Sequence, residues 1–161
     1  MSNDKEKTGR KGDGVAATNR KANHNYAISD TYTCGIELFG AEVKSLRLHT
    51  ASIAEAFGRI DENLELWIYG MHINPYKFSR EEIDPIRPRR LLAHKKEIIA
   101  MSKALEDKGT TLIPLKIIFY DGKAKCLIGV GKGKRQFDKR HALKKKDQDR
   151  EIAKVLKFKN R

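Results

Sequence analysis

The residues best suited to chemistry in this sequence are cations, and they are concentrated in one place. From Gly129 to Lys146 the chain reads GVGKGKRQFDKRHALKKK. Within it Lys132, Lys134, Arg135, Lys139, Arg140, Lys144, Lys145 and Lys146 are opposed only by Asp138. A buried, unpaired cation is strongly destabilising, so this stretch lies in water or against a polyanion. Phe137, set among the cations, is the kind of residue that stacks on an unpaired base. Gly129, Gly131 and Gly133 allow a close approach of backbone to a ligand. The plain alternative is a solvated basic tail, the usual fate of a charge run.

Other chemistries find little support. GVGKGKR superficially resembles a phosphate-binding loop, but the four-residue spacer is missing. Arg135 also stands where Ser or Thr would hold magnesium. There is no GxSxG, no HExxH and no Cys–His pair at a suggestive spacing. Glu81, Glu82 and Asp84 read as solvated loop carboxylates rather than metal ligands, and His72 as a hydrogen-bonded strand residue rather than a base. The expectation is a binding protein, not an enzyme, with no cofactor and no metal.

Charge distribution sharpens this. The 161 residues suit one domain with appendages, and the formal charge is +13. Residues 1–23 carry 6 basic and 3 acidic side chains, residues 24–131 carry 15 and 14, and residues 132–161 carry 13 and 4. A nearly neutral body between two basic ends points to nucleic acid, whose phosphates draw in basic arms. An anionic membrane is the competing partner, but the tail lacks a wide apolar face. Met1–Lys21 has no apolar leader, and no window approaches a membrane span. Cys34 and Cys126 belong to no CxxC and show no ligand spacing with any histidine. They read as reduced packing thiols of a cytoplasmic protein.

These residues need elements to position them. Residues 1–18 are small, polar and charged and are expected to be disordered. Tyr26, Ile28, Tyr32, Cys34, Ile36 and Leu38 keep a period of two, with a bend at Asp30. Gly40 stops that strand, and GAEVKSLR reads as a short helix. Ser52–Ile60 and Leu64–Ile73 form an expected hairpin; residues 76–90, with Pro85 and Pro88, read as an arginine-rich loop. His94–Lys108 has helical periodicity, with Ile98, Met101 and Leu105 on one face and Gly109 as its stop. Thr111–Tyr120 and Lys123–Val130 form the clearest hairpin, closed by Asp121-Gly122, with Pro114 at an edge or bulge. Short antiparallel strands with one main helix predict a mainly β fold with flanking helices. The specific expectation is a small closed antiparallel barrel of the oligonucleotide-binding kind over residues 19–131. Residues 132–161 are expected to be a disordered basic tail, in which Ile152, Val155 and Leu156 have the spacing of a weak helix formed against a partner.

Five segments carry a resemblance: NRKANHNY (Asn19–Tyr26), GAEVKSLR (Gly40–Arg47), MHINPY (Met71–Tyr76), RPRRLLAHKKE (Arg87–Glu97) and GVGKGKRQFDKR (Gly129–Arg140). In order and spacing they are similar to the SsrA-binding protein, or SmpB, family from residue 19 onward. The resemblance implies a bacterial, non-enzymatic protein with an oligonucleotide-binding-like barrel. It would bind the tRNA-like domain of transfer-messenger RNA and deliver it, with elongation factor Tu acting through the charged RNA, to stalled ribosomes for trans-translation. It implies an RNA-binding barrel surface at Asn19, Lys21, His24, Tyr26, Glu42, Lys44, Ser45, Arg47 and Leu92, to which the cations Lys132, Lys134 and Arg135 add. It also implies a tail that enters the empty mRNA channel beside the 16S rRNA decoding region. There Phe137, Asp138, Lys139 and Arg140, then Lys144, Lys145 and Lys146, then Val155 and Leu156 would act. Some positions depart from the pattern: Thr33 replaces a frequent glutamate, Asn23 an arginine, and Phe137 a His or Tyr. Leu48, His49 and Thr50 replace an Ala-Gly-Lys turn. The rival reading from another class is a structural ribosomal protein with a basic extension for rRNA; an RNA-modifying enzyme has no candidate site.

Overall fold

Two of the three eleven-residue strands meet at a two-residue turn. Asp121 and Gly122 have φ of 50° and 75°, the pair of left-handed residues that a two-residue hairpin turn of type I′ requires. The computed structural model describes residues 14–159; at 136–138, 142, 158 and 159 only the backbone is described. In chain order the elements are β1 (Gly14–Thr18), α1 (Ala22–Asn25), β2 (Tyr26–Ile36), α2 (Gly40–Arg47), β3 (Ala51–Ser52), β4 (Phe57–Ile60) and β5 (Leu66–Tyr69). There follow β6 (His72–Ile73), β7 (Arg89–Leu92), α3 (Lys95–Leu105), β8 (Thr110–Tyr120), β9 (Lys123–Gly133) and α4 (Gln136–Lys159).

Seven strands form an antiparallel sheet in the order β1-β8-β4-β5-β7-β2-β9, and β9 pairs again with β8. β3 and β6 make a separate two-stranded ribbon. The sheet can bend back on itself because β8 and β2 both carry bulges, which add local twist. One falls between Pro114 and Lys116, where proline lacks the N–H the ladder would use, and the other lies at Ile28–Asp30. The Asp30 bend is legible in the sequence, and of the two places open to Pro114, an edge or a bulge, the structure takes the bulge. Alternation sends Leu66 and Ile68 of β5, Cys34 of β2, Leu112 and Ile117 of β8, and Cys126 and Ile128 of β9 into one core, all fully buried. Leu46 of α2 and Met101 of α3 close it. Cys34 and Cys126 face each other across β2–β9 as free thiols. Burial, and secondarily the charge of Glu97, pushes Cys34 up to about 12. Burial, with Cys34 beside it, pushes Cys126 up as well.

Several expectations are corrected. Gly14–Thr18, expected to be disordered, is a strand, because the small residues Ala16 and Ala17 pack buried against β8. The hairpin around Asp61 is shorter than the alternation suggested. β4 and β5 flank it, while residues 51–52 and 72–73 leave to form their own ribbon. Arg89 and Arg90, read as the end of a loop, join Leu91 and Leu92 in a strand between β5 and β2. β9 runs past Val130 and Gly131 to Gly133, so the sheet ends later than the expected boundary. The tail, expected to be disordered, is helical from Gln136 to Lys159. Between Lys134 and Asn160 there is no Gly or Pro, and a helix satisfies its own backbone polar groups without burying anything. Among the described residues, no helix is long and apolar enough to cross a membrane.

Candidate nucleic-acid interface

The sequence-predicted residues fall into three places. The first assembles segments from opposite ends of the chain. β2 and β9 pair with Tyr26 opposite Gly133 and Ala27 opposite Lys132. This register, with Lys134 held on Asn23 and Asn25, brings α1 and Tyr26 beside Lys132, Lys134 and Arg135, while Asn19 sits further along β8 at the start of the same segment. Asn19 is an anchor rather than a free contact: its N–H donates to Leu115 O at 2.9 Å and its Nδ2 to Pro114 O at 3.2 Å. It thereby caps the β8 bulge and starts α1 at a fixed point. Lys134 ties the junction, donating from its backbone N–H to Asn25 O and from Nζ to Asn23 O, both at 2.8 Å. Arg20, which sequence reasoning passed over, joins Lys21 and Arg135 on the exposed surface; its signal was its place in the NRK run. Lys132 makes an exposed ion pair with Asp107 at 2.9 Å.

The glycines of this region serve a different end from the one expected. A Cβ on Gly131 would lie 2.9 Å from Ile28 Cδ1 and 3.1 Å from Ala27 O, and one on Gly129 would lie 3.1 Å from Ile28 Cγ2 and from Leu115 Cδ1. Both glycines make room for Ile28 at the β2 bulge. Their absence of side chains is spent on packing strands, not on admitting a ligand.

The second place is α2, near the tip of the β8–β9 hairpin. Lys44 and Arg47 are exposed on it. Arg47 lies over the Phe119 ring at 4.3 Å and donates to Gly122 O at 3.4 Å, while Lys44 lies 5.3 Å from the Tyr76 ring centroid. Exposed Leu92 pairs with Gly35, whose partner on the other side is Lys125, so Leu92 belongs to this end of the sheet. Tyr26 and Gly35 lie nine steps apart along β2, about 30 Å at ~3.3 Å per residue. Leu92 is therefore not part of the α1 cluster. β1 spans the gap between α2 and α1: Gly14 lies opposite Phe119 and Thr18 opposite Lys116. His49, at φ 57°, hydrogen-bonds through Nδ1 to Ala16 O at 3.4 Å and holds the bulged strand to the end of α2.

Glu42 and Ser45, also expected on the RNA surface, are buried. Glu42 instead forms a charge hub. Its Oε1 accepts from Arg87 Nε at 2.9 Å and from Arg89 Nε and Nη2 at 3.0 and 2.8 Å. Its Oε2 accepts from Arg87 Nη2 at 2.6 Å and from the Phe39 N–H at 3.0 Å. Fully buried Arg89 further donates to Met71 O and Pro85 O. Burial alone would raise the Glu42 carboxyl; the hydrogen bonds from Arg87 and Phe39 and the charge of Arg89 outweigh it and hold the group below the usual carboxylate range. Glu42 thus caps the N-terminus of α2 and fixes the helix that presents Lys44 and Arg47. Sequence reasoning missed Arg87 and Arg89 as its partners, since a run of arginines between prolines reads as surface.

The third place is α4. Arg140, Lys144, Lys145 and Lys146 are exposed and Lys139 is partly buried. Val155 and Leu156 are more than half exposed. The side chains of Phe137 and Asp138 lie outside the described residues. Near its start α4 comes beside α1, where Leu143 and Lys146 line a cleft with Arg20, Asn23 and His24.

The family described as SmpB protein matches residues 16–158 of the chain. A protein named SsrA-binding protein from Elusimicrobium minutum is 53% identical over 146 residues, covering 90% of this chain and 92% of that one. Its namesake from Levilactobacillus brevis is 46% identical over 154 residues, covering 95% and 98%. Among solved structures, a chain described as "tmRNA-SmpB: a journey to the center of the bacterial ribosome" is similar with a TM-score of 0.63 and 44% identity. It is covered over 92% of its length and covers 78% of this chain.

Proposed function

Since the chain belongs to the SmpB family, we propose that it binds the tRNA-like part of transfer-messenger RNA and brings it to stalled ribosomes for trans-translation. The observation that carries this reading is the β2–β9 register, together with the hydrogen bonds of Lys134 to Asn23 and Asn25, which joins α1 and Tyr26 to Lys132–Arg135 in one cationic region. Lys21, His24 and Arg135 on that surface, with Lys44 and Arg47 beyond β1, offer cations and hydrogen-bond donors to the phosphates of a folded RNA, while the neutral body supplies shape recognition. Asn19 and Glu42 act by fixing the backbone that carries these cations.

The sheet and the tail fit the same proposal. The return pairing of β9 on β8 supports reading the sheet as a closed antiparallel barrel of the oligonucleotide-binding kind. The exposed apolar positions of α4 support a helical tail that docks on the ribosome, where Phe137–Arg140 act near the decoding region and Val155 and Leu156 further along the mRNA channel. Elongation factor Tu would act indirectly, through the charged RNA, in the cytoplasm. Among the described residues, no cluster suggests catalysis.

Purifying the protein from its host and identifying the RNA that accompanies it tests the reading against the structural-ribosomal-protein alternative. One small structured species with a tRNA-like end is the expected result. Bulk ribosomal RNA, with the protein retained on subunits through a high-salt wash, would overturn it.

A further inference from the structure

A groove opens between the last turn of α3 and the paired ends of β2 and β9. Ala27, Ala104 and Val130 give it an apolar floor, and Lys103, Asp107 and Lys132 stand around it. Three observations set it apart from ordinary surface. Thr110, in the groove lining, has a buried hydroxyl with no hydrogen-bond partner among the described residues. Buried polar groups are otherwise paired, so this hydroxyl stands to gain a hydrogen bond if its side chain turns toward the groove. Lys103 makes no ion pair among the described residues, and Lys132 makes only the exposed one to Asp107, a weak interaction from which a phosphate can draw it. Finally, the groove is continuous with the proposed RNA surface: Ala27 and Lys132 are strand partners, one residue from Tyr26 and Gly133.

We propose that this groove seats one ribonucleotide of the bound RNA. The base lies on Ala27 and Ala104, the phosphate meets Lys103 and Lys132, and the ribose hydroxyl is shared between Asp107 and the Thr110 hydroxyl, which turns about χ1 from its buried position to meet it. The donor set is the reason for choosing a nucleotide over a bare anion. A simple anion site has no use for a carboxylate, whereas a 2′-hydroxyl both donates and accepts and can satisfy a carboxylate and a threonine together. This inference rests on the RNA-binding reading and extends it to a face of α3 that none of the sequence-predicted residues except Lys132 occupies.

The test is an amide NMR titration of the full-length protein with adenosine 5′-monophosphate, its 2′-deoxy counterpart and inorganic phosphate. Adenosine 5′-monophosphate should give saturable shifts at Ala27, Ala104, Thr110 and Val130; the deoxy nucleotide should bind about fivefold more weakly, as the loss of one hydrogen bond implies. Thr110→Val removes an unsatisfied buried hydroxyl, so its thermal stability should stay level or rise while its affinity falls about fivefold. A merely structural threonine would not separate those two readouts. Lys103→Gln should weaken the nucleotide without altering the melting temperature. Equal responses to phosphate alone would reduce the groove to an anion site and overturn the proposal. So would equal affinity for ribo and deoxy forms, or an unaltered Thr110→Val. A wild-type protein that binds a tRNA-like RNA yet shows no nucleotide shifts in the groove overturns the groove only. A protein that binds neither overturns the RNA reading on which it rests.

Discussion

Charge is used in opposite ways at α2 and at the β9–α4 junction. At α2 the arginines turn inward: Arg89 is fully buried, Arg87 is three-quarters covered, and both are matched to one carboxylate. At the junction and along α4 the cations turn outward, and the Lys132–Asp107 ion pair there is exposed on both sides. The two regions share a dense local run of cations, RPRR at 87–90 and KGKR at 132–135, although Glu81, Glu82 and Asp84 stand just before the first. What separates them is whether the counter-charge lies within the fold. A buried hub is costly to break, because removing one partner strands the others without solvent. An exposed run contributes little to the fold and is left for a polyanion. Stability should therefore reside in the first and partner engagement in the second.

The largest effect expected from this contrast is on tagging. Ending the chain after Arg135 removes the outward-facing run but keeps β9 and the anchor of Lys134 on α1. Peptide tagging on stalled ribosomes should fall to background, while affinity for transfer-messenger RNA stays within a few-fold of the full chain. Side-by-side measurement of tagging and RNA binding checks this. If RNA binding vanished together with tagging, the division of labour between the body and α4 would be broken.

The inward hub should show the converse. Glu42→Ala leaves two guanidinium groups facing each other in the core and should destabilise the protein by about 3–5 kcal/mol, measured by denaturant unfolding. Changing Lys144, Lys145 and Lys146 together to Gln should leave the unfolding midpoint almost untouched. Comparable losses of stability from both changes would erase the distinction.

A pH titration sharpens the same point. Because the folded-state pKa of Glu42 is lowered, its contribution to stability is fully present above the unfolded carboxylate pKa of roughly 4.3. That contribution is lost as pH falls through the lower, folded value. The stability gap between wild type and Glu42→Gln should thus be flat near neutrality and narrow only in acid. A gap that narrowed between pH 6 and 8 would mean that another group governs the hub.

How much of this is legible from sequence follows the same line. Local signals point the right way: Asp121-Gly122 to a hairpin turn, Gly40–Arg47 to a helix, Pro114 to a bulge. Each depends on residues within a few positions of one another. The hub is not legible, because nothing local links Glu42 to Arg87 and Arg89; only the placement of β7 between β5 and β2 joins them. Gly129 and Gly131 mislead for the same reason: the side chain they accommodate belongs to Ile28, about a hundred residues earlier. β1 escapes notice because alanines and threonines carry too little hydrophobicity to announce a strand, yet Ala16 and Ala17 are small enough to fit against β8. Of the RNA surface, the exposed cations are legible as residues; their assembly across β2 and β9 is not.

The smallest expected effect separates two kinds of interaction inside the outward region. Lys139 and Arg140, if they meet phosphates, act through counterion release. Replacing both with Gln should flatten the salt dependence of ribosome engagement by about 0.7–0.9 in log–log slope for each phosphate no longer neutralised. Phe137, if it stacks on a base, acts through apolar contact worth about 1–3 kcal/mol, which salt scarcely screens. Phe137→Ala should then weaken ribosome binding and tagging at every salt concentration by a similar factor and leave the slope unchanged. Phe137→Tyr and Phe137→His keep an aromatic face and should retain most activity. Measured at two salt concentrations, the three Phe137 variants and the Lys139/Arg140 double change fall into two groups if both interactions exist. A fully active Phe137→Ala protein would leave charge as the only means by which this part of the chain engages the ribosome. The outward region would then be a simple electrostatic tether, with no aromatic stacking set within it.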